Sequence, residues 1–132
     1  MGLAAGLTQV LDNAIHAWQS TPLGGALLSL LAERQDKELA QCIRQADSER
    51  RELLRTLLRR GEARRQIHPI DDIELTIDAL LGGAWLRFLI SGRVPEGYAE
   101  RPVAAFLERR RLPDGRRSFG GPISGPRVAN NS

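Results

Sequence analysis

One segment of the chain decides the fold: residues 73–91 read IELTIDALLGGAWLRFLIS. Arranged as an α-helix, this segment is apolar over well over half of its surface, because its polar positions are few. They are Glu74, Thr76, Asp78, Arg87 and Ser91. The segment therefore predicts the most hydrophobic helix of the protein, one that has to be buried on several sides.

Both ends of this helix carry start and stop signals. Asp71 or Asp72 precedes it, and either carboxylate suits the cap of the first turn. With Asp71 as the cap, Glu74 stands close enough for a capping-box role. Gly92 follows the helix, and glycine readily adopts the left-handed conformation that ends one. The sequence thus predicts a helix from Ile73 to Ser91.

The rest of the body predicts helices as well. Apolar residues recur at three- and four-residue steps, and no segment combines strand alternation with β-branched residues. Pro102 indicates either a kink in the last helix or the start of its regular part. The predicted helices run from Leu3 to Gln19, Pro22 to Arg34, Lys37 to Arg64, Ile73 to Ser91 and Glu96 to Arg110. The predicted fold class is an all-α, five-helix bundle with orthogonal or antiparallel packing.

Composition limits the classes of function. The chain has 132 residues with 19 basic and 16 acidic side chains, which is the size of one domain. The net charge of +3 comes from residues 111–132, with four arginines and one aspartate, so residues 1–110 are neutral and do not resemble a nucleic-acid-binding domain. Glycine and proline are frequent in residues 111–132, which predicts a flexible tail.

The sequence also limits the cellular location and the covalent chemistry of the protein. Cys42 is the only cysteine, so no intrachain disulfide can form. The longest uncharged apolar stretch, residues 23–32, is too short to cross a bilayer. The first residues lack the basic region of a signal peptide. A cytoplasmic protein without a membrane partner is expected.

Catalysis has little support in the sequence. His16 and His68 are the only histidines, and no nucleophile, phosphate-loop or zinc-protease motif is present. Asp71 and Asp72 are explained better as a helix cap than as a metal site. We expect no enzyme activity, no catalytic residue, no metal and no cofactor.

Several short motifs, taken in order, resemble the C-terminal regulatory domain of tetracycline-repressor-type (TetR family) bacterial transcription regulators. They are DKELA at 36–40, LLRRGE at 57–62 leading to Ile67-His68-Pro69, DIEL at 72–75 and LLGGAWLRFLISG at 80–92. The resemblance covers roughly residues 3–110, so residues 1–110 are interpreted as the regulatory domain and 111–132 as the tail. Arg65 stands where many relatives carry glycine, which suggests a different closure of the third helix.

The resemblance implies a homodimer. In this family the last two helices pair with those of a partner to form a four-helix bundle, and residues 73–91 are more apolar than one small bundle can cover. The alternative is that these residues simply pack inside the monomer. The interface residues expected from the fourth and fifth helices are Ile77, Leu80, Leu81, Gly83, Ala84, Arg87, Val103 and Phe106.

The resemblance also implies a pocket for a small apolar effector among the earlier helices. Ligand sites are apolar clefts with a few placed polar groups. The candidate pocket residues are His16, Trp18, Gln45, Trp85 and Phe88. The alternative is that the aromatic residues are core and that His16 lies at the surface.

Two charged features of the third helix favour ordinary solvated surface. Arg51, Arg55 and Arg59 recur at four-residue steps, and a solvated face explains them better than an anion or nucleic-acid patch. The charged run at residues 49–52 interrupts the apolar stripe. It either faces solvent or places Arg50 in a pocket, and the cost of burying an unpaired charge favours solvent.

These observations predict the ligand-sensing and dimerisation domain of a TetR-like regulator. The N-terminal helix-turn-helix domain that reads DNA in this family is expected to be missing, so the chain itself is not expected to bind DNA. One alternative is a dimerisation-only helical module that pairs with related regulators without a small molecule. Another is a helical scaffold unrelated to transcription.

Overall fold

The structure is a computed structural model that describes residues 2–22, 24–25, 28–29 and 37–113. Over these residues the chain forms helices, joined by turns and one isolated β-bridge, with no strand. The all-α class is therefore confirmed for the described part of the chain. We number its helices α1 (Leu3–Ser20), α2 (Lys37–Ala63), α3 (Ile73–Ser91) and α4 (Glu100–Arg110).

Two sequence predictions fall largely outside the described residues. Of the predicted second helix, Pro22 to Arg34, only residues 22, 24–25 and 28–29 are described, and these have helical backbone. Of the predicted tail, only residues 111–113 are described.

Helix α1 lies against all three other numbered helices. Its apolar side chains recur at three- and four-residue steps and are buried along one face, as the sequence predicts. The buried ones are Leu7, Leu11, Ala14, Ile15 and Trp18. They meet Leu54 and Leu58 of α2 and the inner side of α3 in one hydrophobic core.

Helix α3 begins and ends where the sequence predicts. The Asp72 carboxylate accepts a hydrogen bond from the backbone N–H of Leu75 at 3.0 Å, so Asp72 and not Asp71 is the cap. Glu74 takes no part in a capping box, because arginines of α2 bind its carboxylate. Gly92 ends the helix in the left-handed region at φ 74°.

Helix α4 starts four residues later than predicted. Residues 96–99 form a turn in which Gly97 has a φ of 76°, and the regular helix begins at Glu100. Pro102 therefore lies in the first turn, where its missing N–H has no helical partner to lose. The sequence left two alternatives for Pro102, a kink or the start of the regular helix, and the structure shows the second.

The connector between α2 and α3 is fastened to the end of α4. His68 N–H donates to the Arg110 carbonyl at 2.8 Å, and Leu112 N–H donates to the Gln66 carbonyl at 2.9 Å. These bonds flank the bridge between Ile67 and Arg111. These bonds fix the C-terminal end of α4 against the connector between α2 and α3.

None of the described helices is both long and apolar enough to cross a membrane.

Candidate ligand cavity and partner surface

A cavity of about 450 Å³ lies between the end of α1, the first half of α2 and the middle of α3. Its volume falls in the range of small-molecule sites. Its walls are Trp18, Ile43, Arg44, Ala46, Asp47, Arg50, Arg51, Asp78, Leu81, Gly82 and Trp85. The cavity thus joins apolar surface to a few charged groups, which is the composition expected of a ligand site.

An aromatic cluster adjoins the cavity. Trp18 meets Trp85 edge to face at 5.3 Å between ring centroids, and Phe88 lies 5.9 Å from Trp18 and 6.1 Å from Trp85. Trp85 and Phe88 are three residues apart on one face of α3, and Trp18 reaches them from the last turn of α1. Trp18 and Phe88 are buried, whereas Trp85 is half-buried. The structure therefore brings together the three aromatic candidates.

The two polar candidates lie elsewhere. His16 is exposed on α1, two residues before Trp18, which turns it to the other side of that helix. Gln45 is exposed on α2, where its amide donates to Glu49 at 3.3 Å. Neither residue lines the cavity. Residues 43, 46, 47 and 50 recur on the cavity side of α2, and position 45 falls opposite them.

Arg50, for which the sequence favoured solvent over a pocket, lies in the cavity wall. Its guanidinium lies over the Trp18 ring, 5.7 Å from the centroid, and its side chain is only partly exposed. Burial lowers the pKa of Arg50, and the nearby charge of Asp47 opposes that shift. The described residues offer it neither a hydrogen bond nor an ion pair. Arg50 and Trp18 are thirty-two positions apart in the sequence, so their contact could not be predicted from it.

The arginines at positions 51, 55 and 59 are paired with acidic residues. Arg51 binds Glu74 at 2.9 Å and Asp78 at 2.8 Å, both on α3. Arg55 binds the same Glu74 carboxylate at 2.6 Å, and Arg59 pairs with Glu62 at 2.8 Å. These acidic partners neutralise the predicted arginine row. The row is therefore not a free basic surface, and two of its members join α2 to α3.

A stripe of uncovered apolar residues runs along the outside of α3. We call it the α3 stripe: Leu75, Ala79, Gly82, Leu86 and Ile90, all exposed. Leu75, Leu86 and Ile90 keep 64%, 56% and 77% of their surface exposed. The members recur at three- and four-residue steps, so they form one face of the helix, opposite the buried side that holds Ile77 and Ala84.

The interface residues predicted from sequence occupy other positions. Ile77, Leu80, Leu81, Ala84 and Val103 are buried within the single chain, and Phe106 is half-buried. Arg87 lies over the Tyr98 ring at 4.9 Å, and a Cβ at Gly83 would collide with the Tyr98 hydroxyl. Periodicity reveals how much of a helix is apolar, but it does not tell which side packs against the rest of the same chain.

A family model described as "Tetracyclin repressor-like, C-terminal domain" matches residues 2–106. The matched range includes the whole cavity wall and the whole α3 stripe. No curated protein and no solved structure matches the chain.

Proposed function

The chain belongs to the tetracycline repressor-like C-terminal domain family, and from this we propose that it is the ligand-sensing and dimerisation domain of a TetR-like transcriptional regulator. One observation carries the proposal. Helix α3 contributes Leu81, Gly82 and Trp85 to the cavity and leaves uncovered an apolar stripe that adjoins the cavity at Gly82. A single rigid element therefore borders both a ligand site and a partner surface.

The partner of the α3 stripe is a second copy of this chain. Three large apolar side chains on one helix face are costly to leave in water and need a complementary apolar surface. Two copies related by a two-fold axis supply that surface to each other. The family is one whose domains typically dimerise. We expect a total buried area on the order of 1,600 Å² or more.

Ligand occupancy acts on this dimer through α3. A molecule between α2 and α3 changes how those helices pack, and α3 transmits the change to the stripe at the dimer axis. Two sites that bias one two-state element are coupled, and the coupling is reciprocal. In a regulator this would alter the spacing of DNA-reading domains and thus operator affinity.

DNA contact itself is proposed to lie outside the described residues. The row formed by Arg51, Arg55 and Arg59 is neutralised by acidic partners, which leaves little charge for phosphates. We interpret residues 1–110 as the regulatory domain, residues 111–132 as a tail, and the cytoplasm as its location.

The oligomeric state tests the proposal. Sedimentation of the full chain at micromolar concentration is expected to give twice the 14.6 kDa monomer mass. Leu86→Glu places a charge in the middle of the stripe and is expected to give monomers. Leu53→Glu is the matched control, since Leu53 is 57% exposed on α2 and Leu86 is 56% exposed. A wild-type monomer, or a Leu86→Glu dimer, would contradict the proposed interface.

A further inference from the structure

We propose that the cavity between α1, α2 and α3 binds an apolar organic acid, with its carboxylate on Arg50 and its apolar body against Trp18 and Trp85. This inference rests on the proposed ligand-sensing function and assigns its chemical class of ligand. Four observations support it: the guanidinium that no described residue pairs with, the balance of charge in the wall, the aromatic surface and the volume.

The position of the Arg50 guanidinium suits the binding of an anion. The guanidinium is partly withdrawn from water and lies over the Trp18 ring, yet no described residue accepts a hydrogen bond from it. Because no described residue uses its N–H donors, these stay available for a ligand. A carboxylate matches two of these donors at once. An unpaired cation held in such a place is costly, and a bound carboxylate removes that cost.

The charges around Arg50 favour the same sign of ligand. The cavity wall holds three arginines and two aspartates, so it has an excess of one positive charge. Asp78 is committed to Arg51 at 2.8 Å, and Arg44 donates to Gln41 at 3.0 Å. Asp47 acts on Arg50 through its charge without a hydrogen bond. A cationic ligand would meet the excess arginine charge, whereas a carboxylate is attracted by it.

The remaining wall suits an apolar body. Trp18 and Trp85 offer ring surface beside Arg50, and Ile43, Ala46 and Leu81 complete the apolar lining. The volume of about 450 Å³ accommodates a ring with a short chain or a medium aliphatic chain. A fully polar anion such as inorganic phosphate would leave this surface unused.

Intrinsic fluorescence tests the inference directly. Trp18 and Trp85 are the only tryptophans of the chain, and both line the cavity. We choose two matched pairs of probes that differ in charge: 4-phenylbutyrate with its amide, and decanoate with its amide. At least one acid is expected to change the emission saturably, and to bind about tenfold or more tightly than its amide, because it forms charged hydrogen bonds.

Substitution of Arg50 tests whether this residue causes the preference for the acid over its amide. Arg50→Gln is expected to weaken acid binding about tenfold and to leave amide binding unchanged, so that the acid and amide become similar. Arg50→Lys keeps the charge without the two-pronged geometry and is expected to be intermediate. Arg60→Gln is the control for net charge, since Arg60 lies on the same helix, is exposed and is outside the cavity. Thermal unfolding of each variant verifies that it folds.

The outcomes separate this inference from the proposed function. Equal binding of acid and amide by the wild-type chain, or an acid preference that survives in both folded Arg50 variants, overturns the carboxylate assignment and leaves ligand sensing in place. An unchanged emission with all four probes also overturns it. Combined with an intact dimer, that last result favours the dimerisation-only module.

Discussion

Arg65 occupies a backbone position that usually belongs to glycine. Its φ is 57°, and it is the only non-glycine residue of positive φ in the described ranges. The residue completes a Schellman closure of α2, in which Gln66 N–H donates to the Gly61 carbonyl and Arg65 N–H to that of Glu62. The family resemblance suggested a different closure without glycine. Instead, the hydrogen bonds of the motif hold an arginine in the left-handed region at a cost in strain.

Replacing Arg65 with glycine is expected to stabilise the protein. Arg65→Gly removes the steric penalty of the left-handed conformation, and the gain, less the greater entropy of the unfolded chain, is about 0.5–1 kcal/mol. Urea unfolding measures it. The control is Arg64→Gly, at an exposed neighbour without positive φ, which is expected to give no gain. Equal effects of the two substitutions would show that backbone strain is not the cause.

The cap of α3 gives a second prediction at this scale. Asp72→Ala removes the acceptor of the Leu75 N–H and is expected to lower the free energy of unfolding by about 1 kcal/mol. Asp71→Ala removes a neighbouring carboxylate that makes no cap hydrogen bond, so its effect is expected to be less than half as large. Denaturant unfolding of both variants measures the difference. The sequence offered either aspartate as the cap, because cap geometry depends on a backbone angle that composition does not reveal.

At the scale of elements, an ion-pair cluster joins α2 to α3. Glu74 receives hydrogen bonds from Arg55 at 2.9 Å and 2.6 Å and from Arg51 at 2.9 Å, and these lower its pKa, with Arg55 the larger cause. The helices themselves were predictable from periodicity, and α3 matches its predicted bounds. The ion pairs between the helices were not predictable. Four-residue spacing places the arginines on one face of α2, but it does not tell which acidic residues of α3 lie opposite them.

Glu74→Gln tests this cluster through pH and salt. The lowered pKa means that the folded state binds the Glu74 proton less readily than the unfolded state does. Its stabilisation is therefore complete above the unfolded pKa of about 4.3, and it is lost as the pH falls through the lower folded pKa. The melting temperature of Glu74→Gln is expected to lie below that of the wild type at pH 7 in low salt, and to approach it at pH 3 or in 1 M NaCl.

The control for that comparison is Glu108→Gln. Glu108 is exposed on α4 and makes no ion pair within the described residues. Its melting temperature is expected to differ from the wild type by a small amount that varies little with pH and salt. A difference for Glu74→Gln that is the same at pH 7 and pH 3 would show that the cluster contributes no linked stability.

At the scale of the whole molecule, sequence predicted the amount of apolar surface better than its direction. The excess of apolar residues in 73–91 predicted more apolar surface than a small bundle can cover, and Leu86 and Ile90 are exposed in the structure. The particular residues proposed for the interface, such as Ile77 and Ala84, are instead core. For Arg50 the sequence favoured solvent over a pocket because an unpaired buried charge is costly, whereas the structure has it partly buried in the cavity wall.

Dimerisation through the α3 stripe predicts a stability that depends on protein concentration. Association stabilises the folded chain by mass action, because the unfolded chain has no stripe to bind. A hundredfold rise in concentration adds about 1.4 kcal/mol per chain, or roughly 5 °C in melting temperature for a domain of this size. Scanning calorimetry from the micromolar range upward measures the shift. Leu86→Glu is expected to remove the concentration dependence and Leu53→Glu to retain it, because only Leu86 lies on the stripe. A wild-type melting temperature that stays constant over this range would show that the chain does not dimerise on folding. The exposed face of α3 would then bind another partner.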